Sequence, residues 1–445
     1  MASAFLNAQE YANVMLLLLK NQLVFGKLVD GKFSDQVTDE NGLTISVKRP
    51  PRFIDKRDGT AALATQDVLV GSAPVTVDQY SKVHISIGDI EYISSFNSLM
   101  QNSSMKSAAQ TLAHSIDSFI AGLTKKFPSW VAGGAVSGAG GTNAGLAASN
   151  IATTAALMSA HTRLMQQGVP NDGNINGVVT FTDSELVRGA MQAQYAVDLN
   201  APALQRVRIP VVSEINWYAT QQLPTLTTGN RTQGDGAAAG AQVGAANQNV
   251  NYRDVKGSAA SAQMTSNLAI VGLTLAMTIK AGEVFTIQNV FAWDWRAGRQ
   301  LDYLQQFTVV SDVTTAAGAG TLVISPPIIV QGTSDGVSTD ANTAFATVGT
   351  IPAANAYIKF VGALSTGLTA RTAFHKTAIS LVSAKLQMPF TGTAAYAVDP
   401  ETGISIRYWR GSDISTGAHV HRWDAMYGGA VMNPGLGTRM TGFGG

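Results

Sequence analysis

Histidine is scarce in this chain, with six copies in 445 residues, and two of them stand one residue apart in His419-Val420-His421. On a strand that spacing puts both imidazoles on one face, as a pair of metal ligands requires. No carboxylate or third histidine stands beside them at recognisable ligand spacing, and the H-E-x-x-H signature is absent, so no metal site is expected. His375, within Ala373-Phe374-His375-Lys376, reads as a hydrogen-bonded structural residue rather than a base. Gly332-Thr333-Ser334-Asp335-Gly336 fits the bare nucleophile-elbow pattern G-x-S-x-G after the apolar run Ile328-Ile329-Val330. An elbow must open a helix, yet Val337-Ser338-Thr339-Asp340 continues as turn-like sequence, so a loop in a β unit is expected. Gly133, Gly134, Gly138, Gly140, Gly141 and Gly145 match neither G-x-x-x-x-G-K-[ST] nor a strand feeding G-x-G-x-x-G, and read as a flexible linker. The absence of cysteine removes thiolate nucleophiles and cysteine-based metal sites together. No catalytic residue, cofactor or metal ligand is expected, and the chain does not read as an enzyme.

Two patches suggest binding instead. Lys48-Arg49-Pro50-Pro51-Arg52-Phe53-Ile54-Asp55-Lys56-Arg57 is the most basic window. It admits contact with a genome through phosphates, salt bridging to a neighbouring subunit, or simple solvation. The second reading is favoured, because the proline pair stiffens a loop and suits one that lies across another chain. Arg49, Arg52, Lys56 and Arg57 are therefore candidate subunit-interface residues. Trp293-Asp294-Trp295-Arg296 offers residue types enriched in interface hot spots, with packing at the rim of a small barrel as the competing reading.

The elements that must position these residues follow from composition and period. Hydrophobic residues make up 45% of the chain, enough for real cores, while charged residues are only 13% and the net charge is +1. That charged share is about half of the usual one. Such a surface suits burial against other subunits or neutral extracellular material, and its balance marks no nucleic-acid binder. The run Val14 to Leu19 is short, follows Glu10 and lacks a basic flank, so a helix over about residues 7 to 24, capped by Asn7 with Glu10, is expected rather than a secretory segment. No apolar run reaches membrane-spanning length.

Residues 30 to 93 read as extended, with strands at Leu43–Val47, Val75–Val77 and Val83–Ile87. A long helix follows, with apolar positions from Ala108 through Leu112, Ile116, Ile120 and Leu123 to Phe127, ended by Pro128. Ser115 and Asp117 fall off its apolar stripe. A second helix is expected from about Ala147 to Gln167. Val178–Phe181 reads as a strand that leads, through the capping-box sequence Thr182-Asp183-Ser184-Glu185, into a third helix. Residues 227 to 249 drop to Gly, Ala, Gln, Asn and Thr, as at a boundary. Beyond them Leu273, Leu275, Met277 and Ile279 alternate with polar or small residues, and Lys280-Ala281-Gly282-Glu283 suits a tight reversal into Val284, Phe285 and Ile287. This predicts a hairpin. With Phe307–Val310 and Leu322–Ser325 it predicts an all-β unit, a small barrel or sandwich, inserted into an α/β one.

Three segments carry a family likeness. RTAFHKTAISLVSAKLQMP (Arg371 to Pro389) resembles the segment after the inserted domain in major coat proteins of tailed bacteriophages, of the P-twenty-two-like type. Gly403 to Met440 is similar to that family's ending, and Arg422, Asp424, Tyr427 and Gly428 match its R-x-D-x-x-Y-G-like element. Lys280 to Val310 resembles the inserted barrel's first hairpin and the strand after it. The element order is similar as well, over nearly the whole chain.

The resemblance implies an α+β, HK-ninety-seven-like capsid fold with an all-β insertion. It apportions 1–30 to an N-terminal arm, 31–93 to an extended β loop and the start of the peripheral domain, and 94–128 to a spine helix. The axial domain takes 129–225 and 351–398, the inserted β-barrel 226–350, and the peripheral strands and tail 399–445. It further implies self-assembly into pentamers and hexamers of an icosahedral shell, a scaffolding protein, a portal protein and packaged double-stranded DNA enclosed without sequence-specific binding. No membrane is involved; the chain is made in the host cytoplasm and ends in the virion. Two alternatives stand beside this. A cellular nanocompartment shell shares the fold without needing the insertion, and an extracellular hydrolase or adhesin would explain the low charge but requires a secretion signal and a catalytic constellation.

Overall fold

The structure is a computed structural model, described over residues 8–37, 42–55, 65–88, 103–131, 154–194, 213–231, 240–256, 264–273, 276–362, 364–390, 392–413 and 418–441. The chain divides into two compact units. One comprises Met1–Ser46, Pro74–Leu123 and Ile379–Ala430, and the other Val47–Ala73, Thr124–Ala378 and Val431–Gly445.

The first unit joins two helices to a six-stranded sheet. The arm helix, Ala8–Gln22, buries Tyr11, Ala12, Met15 and Leu19 at helical spacing. The long helix, Ser103–Leu123, buries Met105, Ala108, Ala109, Leu112, Ala113, Ile116 and Ile120. At 1.5 Å per residue its 21 residues span about 31 Å. A turn of 3₁₀ helix over Thr124–Lys126 continues the chain ahead of Pro128. Asn7 and the expected start of the long helix before Ser103 lie outside the described residues. The sheet runs in the order Thr44–Lys48, Ser72–Gly88, Ala418–Val431, Ser405–Asp413, Thr393–Val398, with Ile379–Ala384 also paired to Ala418–Val431.

Instead of the two strands expected at 75–77 and 83–87, one 17-residue strand runs from Ser72 to Gly88. Its polar middle, Gln79 to Lys82, stays in register opposite Tyr427 to Asp424 and makes no turn. Period-two pairing needs only one apolar face, so polar residues there do not end a strand. A register shift falls between Tyr427 and Gly428. A side chain at Gly428 would place its Cβ 2.0 Å from the Thr76 carbonyl oxygen, so only glycine permits this approach.

The second unit holds two six-stranded sheets among the described residues. The axial sheet runs Ser129–Val131, Gly437–Thr441, Gly367–His375, Ile175–Val179, Asn216–Ala219, with Thr225–Thr227 paired to the near end of Gly367–His375. The helix Thr154–Gln166 supplies Leu157, Ala160 and Leu164 to a core shared with Ile175, Val179, Trp217, Ala373 and Met440. The helix Phe181–Gln194 starts two residues earlier than the capping-box reading placed it. Its reciprocal cap is Thr180 with Asp183, not Thr182 with Glu185. The Asp183 amide donates to Thr180 Oγ1 (3.1 Å) and the Thr180 amide to Asp183 Oδ2 (3.2 Å). The strand ends one residue before Thr180, which puts that side chain at the first free amides.

The inserted sheet runs Ile358–Phe360, Val284–Asp294, Arg299–Val309, Gly320–Ser325, Ser266–Val271, Gln242–Val243. Its two end strands meet: the Val243 amide donates to Ala356 O and the Ile358 amide to Ala241 O, both 2.9 Å, so the sheet closes on itself. Phe285, Ile287, Phe307, Leu322, Ile324 and Phe360 fill the interior. The closing strand lies beyond residue 350, where the insertion was expected to end. The hairpin expected across Lys280–Glu283 is corrected here. Thr278–Ile279 pairs with Val313–Thr314, while Val284–Asp294 pairs with Arg299–Val309 around the turn at residues 295–298. The reversal exists, with Gly282 at φ +90° and the Glu283 amide on Lys280 O, but it passes the chain from one sheet to another. Asp312 accounts for this, taking the Ala281 amide (2.7 Å) and the Lys280 ammonium (2.8 Å) and drawing the incoming strand to Val313–Thr314.

Candidate functional site

The R-x-D-x-x-Y-G element lies on the strand Ala418–Val431 in the first unit. Asp424 is buried and holds two guanidiniums, Arg422 Nε at 2.6 Å and Arg407 Nη2 at 2.5 Å. Arg407 is its direct partner in the strand register, and Arg422 also reaches the Tyr80 hydroxyl. The arginines stack near the Trp409 ring, at 5.6 Å and 5.9 Å. Tyr427 points to the other face, toward the long helix, where its hydroxyl forms a ring with Ser81 Oγ (3.0 Å) and Ser115 Oγ (2.9 Å). The two serines complete it at 2.7 Å. Every member of the motif is thus used structurally. Two faces of one sheet are pinned, and Gly428 makes the bulge between them.

The basic window is partly folded inward. Arg49 Nε donates to the Met432 carbonyl (2.9 Å), and the Arg52 guanidinium lies 4.5 Å from the Trp295 ring centre and 5.4 Å from that of Phe345. Burial lowers the pKa of both. Two separate candidates of the sequence, Arg52 and the Trp293–Arg296 stretch, are therefore brought together. Asp294 has a local role, accepting the Arg296 amide at the hairpin turn (3.0 Å). Pro50, Pro51 and Phe53 remain exposed. Lys56 and Arg57 lie outside the described residues.

No cluster of three ligating side chains occurs among the described residues. His421 is buried with Nδ1 2.6 Å from the Tyr408 hydroxyl, and desolvation lowers its pKa to about 4, with Arg410 and His419 adding to the shift. His375 sits between Thr377 Oγ1 (2.8 Å) and Asp172 Oδ1 (3.0 Å). The Thr377 amide also points at Nδ1, so this ring closes a local turn. Ser334 accepts the Gly336 amide, while Asp335 takes the amides of Val337 and Ser338 and the Arg253 guanidinium. That is loop chemistry, as the missing helix context implied.

A family model for the P22 coat protein, gene protein 5, matches residues 1–442. The chain belongs to the P22 coat protein family. It is a tailed-phage major capsid protein, a structural and non-enzymatic subunit that assembles with copies of itself and resides in the virion. Its fold is mixed α+β, with an inserted sheet that closes on itself. Family membership sets aside the nanocompartment and hydrolase alternatives. Among solved structures, the chain is similar to one from Mycobacterium phage Che8 at 11% identity, covering 94% of this chain and 91% of that one with a TM-score of 0.44. It is similar to the capsid of cyanophage P-SCSP1u at 11% identity, 100% and 91% coverage and a TM-score of 0.43. The CUS-3 coat protein I-domain matches at 19% identity over 28% of this chain and 96% of its own, with a TM-score of 0.20. No curated protein sequence matches.

Several structural residues escaped the sequence. Asp117, expected off the apolar stripe, is buried and accepts the amides of Val24 (2.8 Å) and Gly26 (3.0 Å), fastening the end of the arm helix to the long helix. Burial raises its pKa to about 6 against those amides. Its position four residues after Ala113 and four before Ala121, both buried, was the available signal. In the axial sheet Arg371 holds Asp183 by two bonds, Nε–Oδ2 at 2.5 Å and Nη2–Oδ1 at 3.1 Å. Arg231, Glu283, Gln306 and Arg439 carried no signal, because their partners are distant in sequence.

Proposed function

We propose that this coat protein closes pentamers and hexamers of itself around double-stranded DNA without reading its sequence. A scaffolding protein guides the assembly, a portal occupies one vertex, and the window carrying Arg49, Arg52, Lys56 and Arg57 is a contact between copies. The observation that carries the contact is the inward anchoring of Arg49 and Arg52 beside exposed Pro50, Pro51 and Phe53. The arginines hold the base of a stiff segment, and Phe53 is left as an apolar anchor of the kind that a partner's pocket buries. The net charge of +1 and low charged fraction support enclosure of DNA rather than recognition.

Electron microscopy of the purified protein and of the combined Phe53→Ser, Lys56→Glu, Arg57→Glu variant tests the contact. The variant is expected to keep its circular dichroism and melting temperature but to close few shells; closure at the wild-type yield removes the segment from the interface. Expression without any other phage protein tests the scaffold, with irregular particles expected. Uniform shells of a single size from the chain alone would dismiss a scaffolding role.

A further inference from the structure

Within the second unit, the Lys280–Glu283 reversal is enclosed by more buried charge than a turn needs. Glu283 is buried, and its Oε1 accepts the amides of Gly229 (2.7 Å) and Lys280 (2.8 Å). Its other oxygen pairs with Arg231, also fully buried. Arg231 donates to the Val361 carbonyl (3.2 Å) and lies 4.2 Å from the Phe360 ring centre. One carboxylate–guanidinium pair therefore ties together the chain entering the inserted domain, the reversal, and the chain leaving it.

A second guanidinium arrives from the axial sheet. Arg439, on the strand Gly437–Thr441, donates through Nη1 to the Gly282 carbonyl (2.8 Å) and through Nη2 to Thr308 Oγ1 (3.1 Å), with its Cζ 5.1 Å from the Trp130 ring centre. It has no carboxylate partner among the described residues, and burial alone lowers its pKa to about 9. From the other direction Gln306, on an inserted strand, accepts the Trp130 amide (2.8 Å) and donates to the Trp130 carbonyl (2.9 Å). That side-chain amide pairs with the axial edge strand as a neighbouring backbone would. Trp130, Val284, Val361, Leu368 and Ala370 pack around these ties.

An unpaired buried guanidinium opposes folding, and apolar side chains would fill such a place at lower cost. Its retention at this point calls for a role other than stability. We propose that Arg231, Arg439 and Gln306 are positioning residues that clamp the reversal, so that the inserted barrel and the axial sheet turn as one body when copies assemble. A hinge here would let the barrel take several orientations, and a shell that must repeat one contact many times requires a single orientation.

Hydrogen exchange by mass spectrometry on the full chain, read together with shell yield, tests this using Arg439→Met. The expected result is an unchanged or higher melting temperature and unchanged exchange in peptides over 320–325 and 367–375. Exchange over 278–284 should be about tenfold faster, and closed shells few. Wild-type exchange over 278–284 overturns the clamp, and fast exchange with normal shell yield overturns its role in assembly. A lower melting temperature with faster exchange in both sheets marks Arg439 as merely structural and overturns it too. Should Arg439→Met fail to fold, Gln306→Leu, which removes only the ties to Trp130, is read against the same outcomes with the peptide over 129–131 in place of 278–284.

Discussion

The two units solve the same problem with different chemistry. In the first, the long helix and its sheet are joined by neutral hydroxyls, the ring of Ser81, Ser115 and Tyr427, and by one carboxylate, Asp117, that takes only backbone amides. In the second, the joints are guanidiniums: Arg371 on Asp183, Arg231 on Glu283, and Arg439 on a carbonyl and a hydroxyl. A hydroxyl loses far less hydration energy on burial than an ion does, and each member of this ring has two partners, so one can be removed at modest cost. A guanidinium must keep all its partners, because the remaining charge is costly once one is removed. A joint that pairs a guanidinium with a buried carboxylate, as at Arg371–Asp183 and Arg231–Glu283, should accordingly fail steeply when broken, whereas the first unit's contact between the long helix and its sheet should fail gradually and respond to pH.

The largest expected effect is that of Arg371→Ala, which strands the buried Asp183 carboxylate and weakens the cap it shares with Thr180. A loss of about 3–5 kcal/mol in urea unfolding is expected. A loss under about 1 kcal/mol would erase the contrast between the units.

Next comes the pH response of the first unit. With its folded pKa raised to about 6, Asp117 contributes stability that is present at low pH and lost as pH rises from about 4 to 6. His421, lowered to about 4, has the opposite sign: its contribution is present above about 6.5 and lost as pH falls toward 4. The two oppose each other across one window. Asp117→Asn should therefore expose the histidine's slope, so that acidification from pH 6.5 to 4 costs the variant about 1–3 kcal/mol more than wild type in denaturant titrations. Parallel pH profiles would remove Asp117 as a titrating joint.

Tyr427→Phe sharpens the comparison at smaller scale, with about 1 kcal/mol expected for opening a hydroxyl ring whose serines still bond each other. The smallest effect belongs to Glu401→Gln on the solvent side of the arm helix. Lys20 keeps Asp399 at 3.2 Å, and no shift of the unfolding midpoint should be measurable.

Much of the local structure was readable from period alone. The arm helix, the apolar stripe of the long helix and the inserted strands at Val284–Ile287, Phe307–Val309 and Leu322–Ser325 appear near where their residues placed them, because a face that must be buried imposes its spacing on the sequence. The loop around Ser334 and the structural use of His375 were readable too, since a missing context is visible in neighbouring residues. The misreadings share a cause. Leu273 to Ile279 has a good strand pattern, but a pattern does not name its partner, and Asp312 chose Val313–Thr314 for Thr278–Ile279 at its end. Thr182 and Thr180 are both plausible caps, and the end of the strand at Val179 selected the earlier one.

Burial of the helix faces, the placing of most elements and, through their order, the family were all written along the chain. How those elements are joined was settled in three dimensions. Arg439 meets Gly282 and Gln306 meets Trp130 across long stretches of chain. Such pairs leave no periodic trace, since hydrogen bonds and ion pairs depend on proximity in space and not on spacing along the backbone.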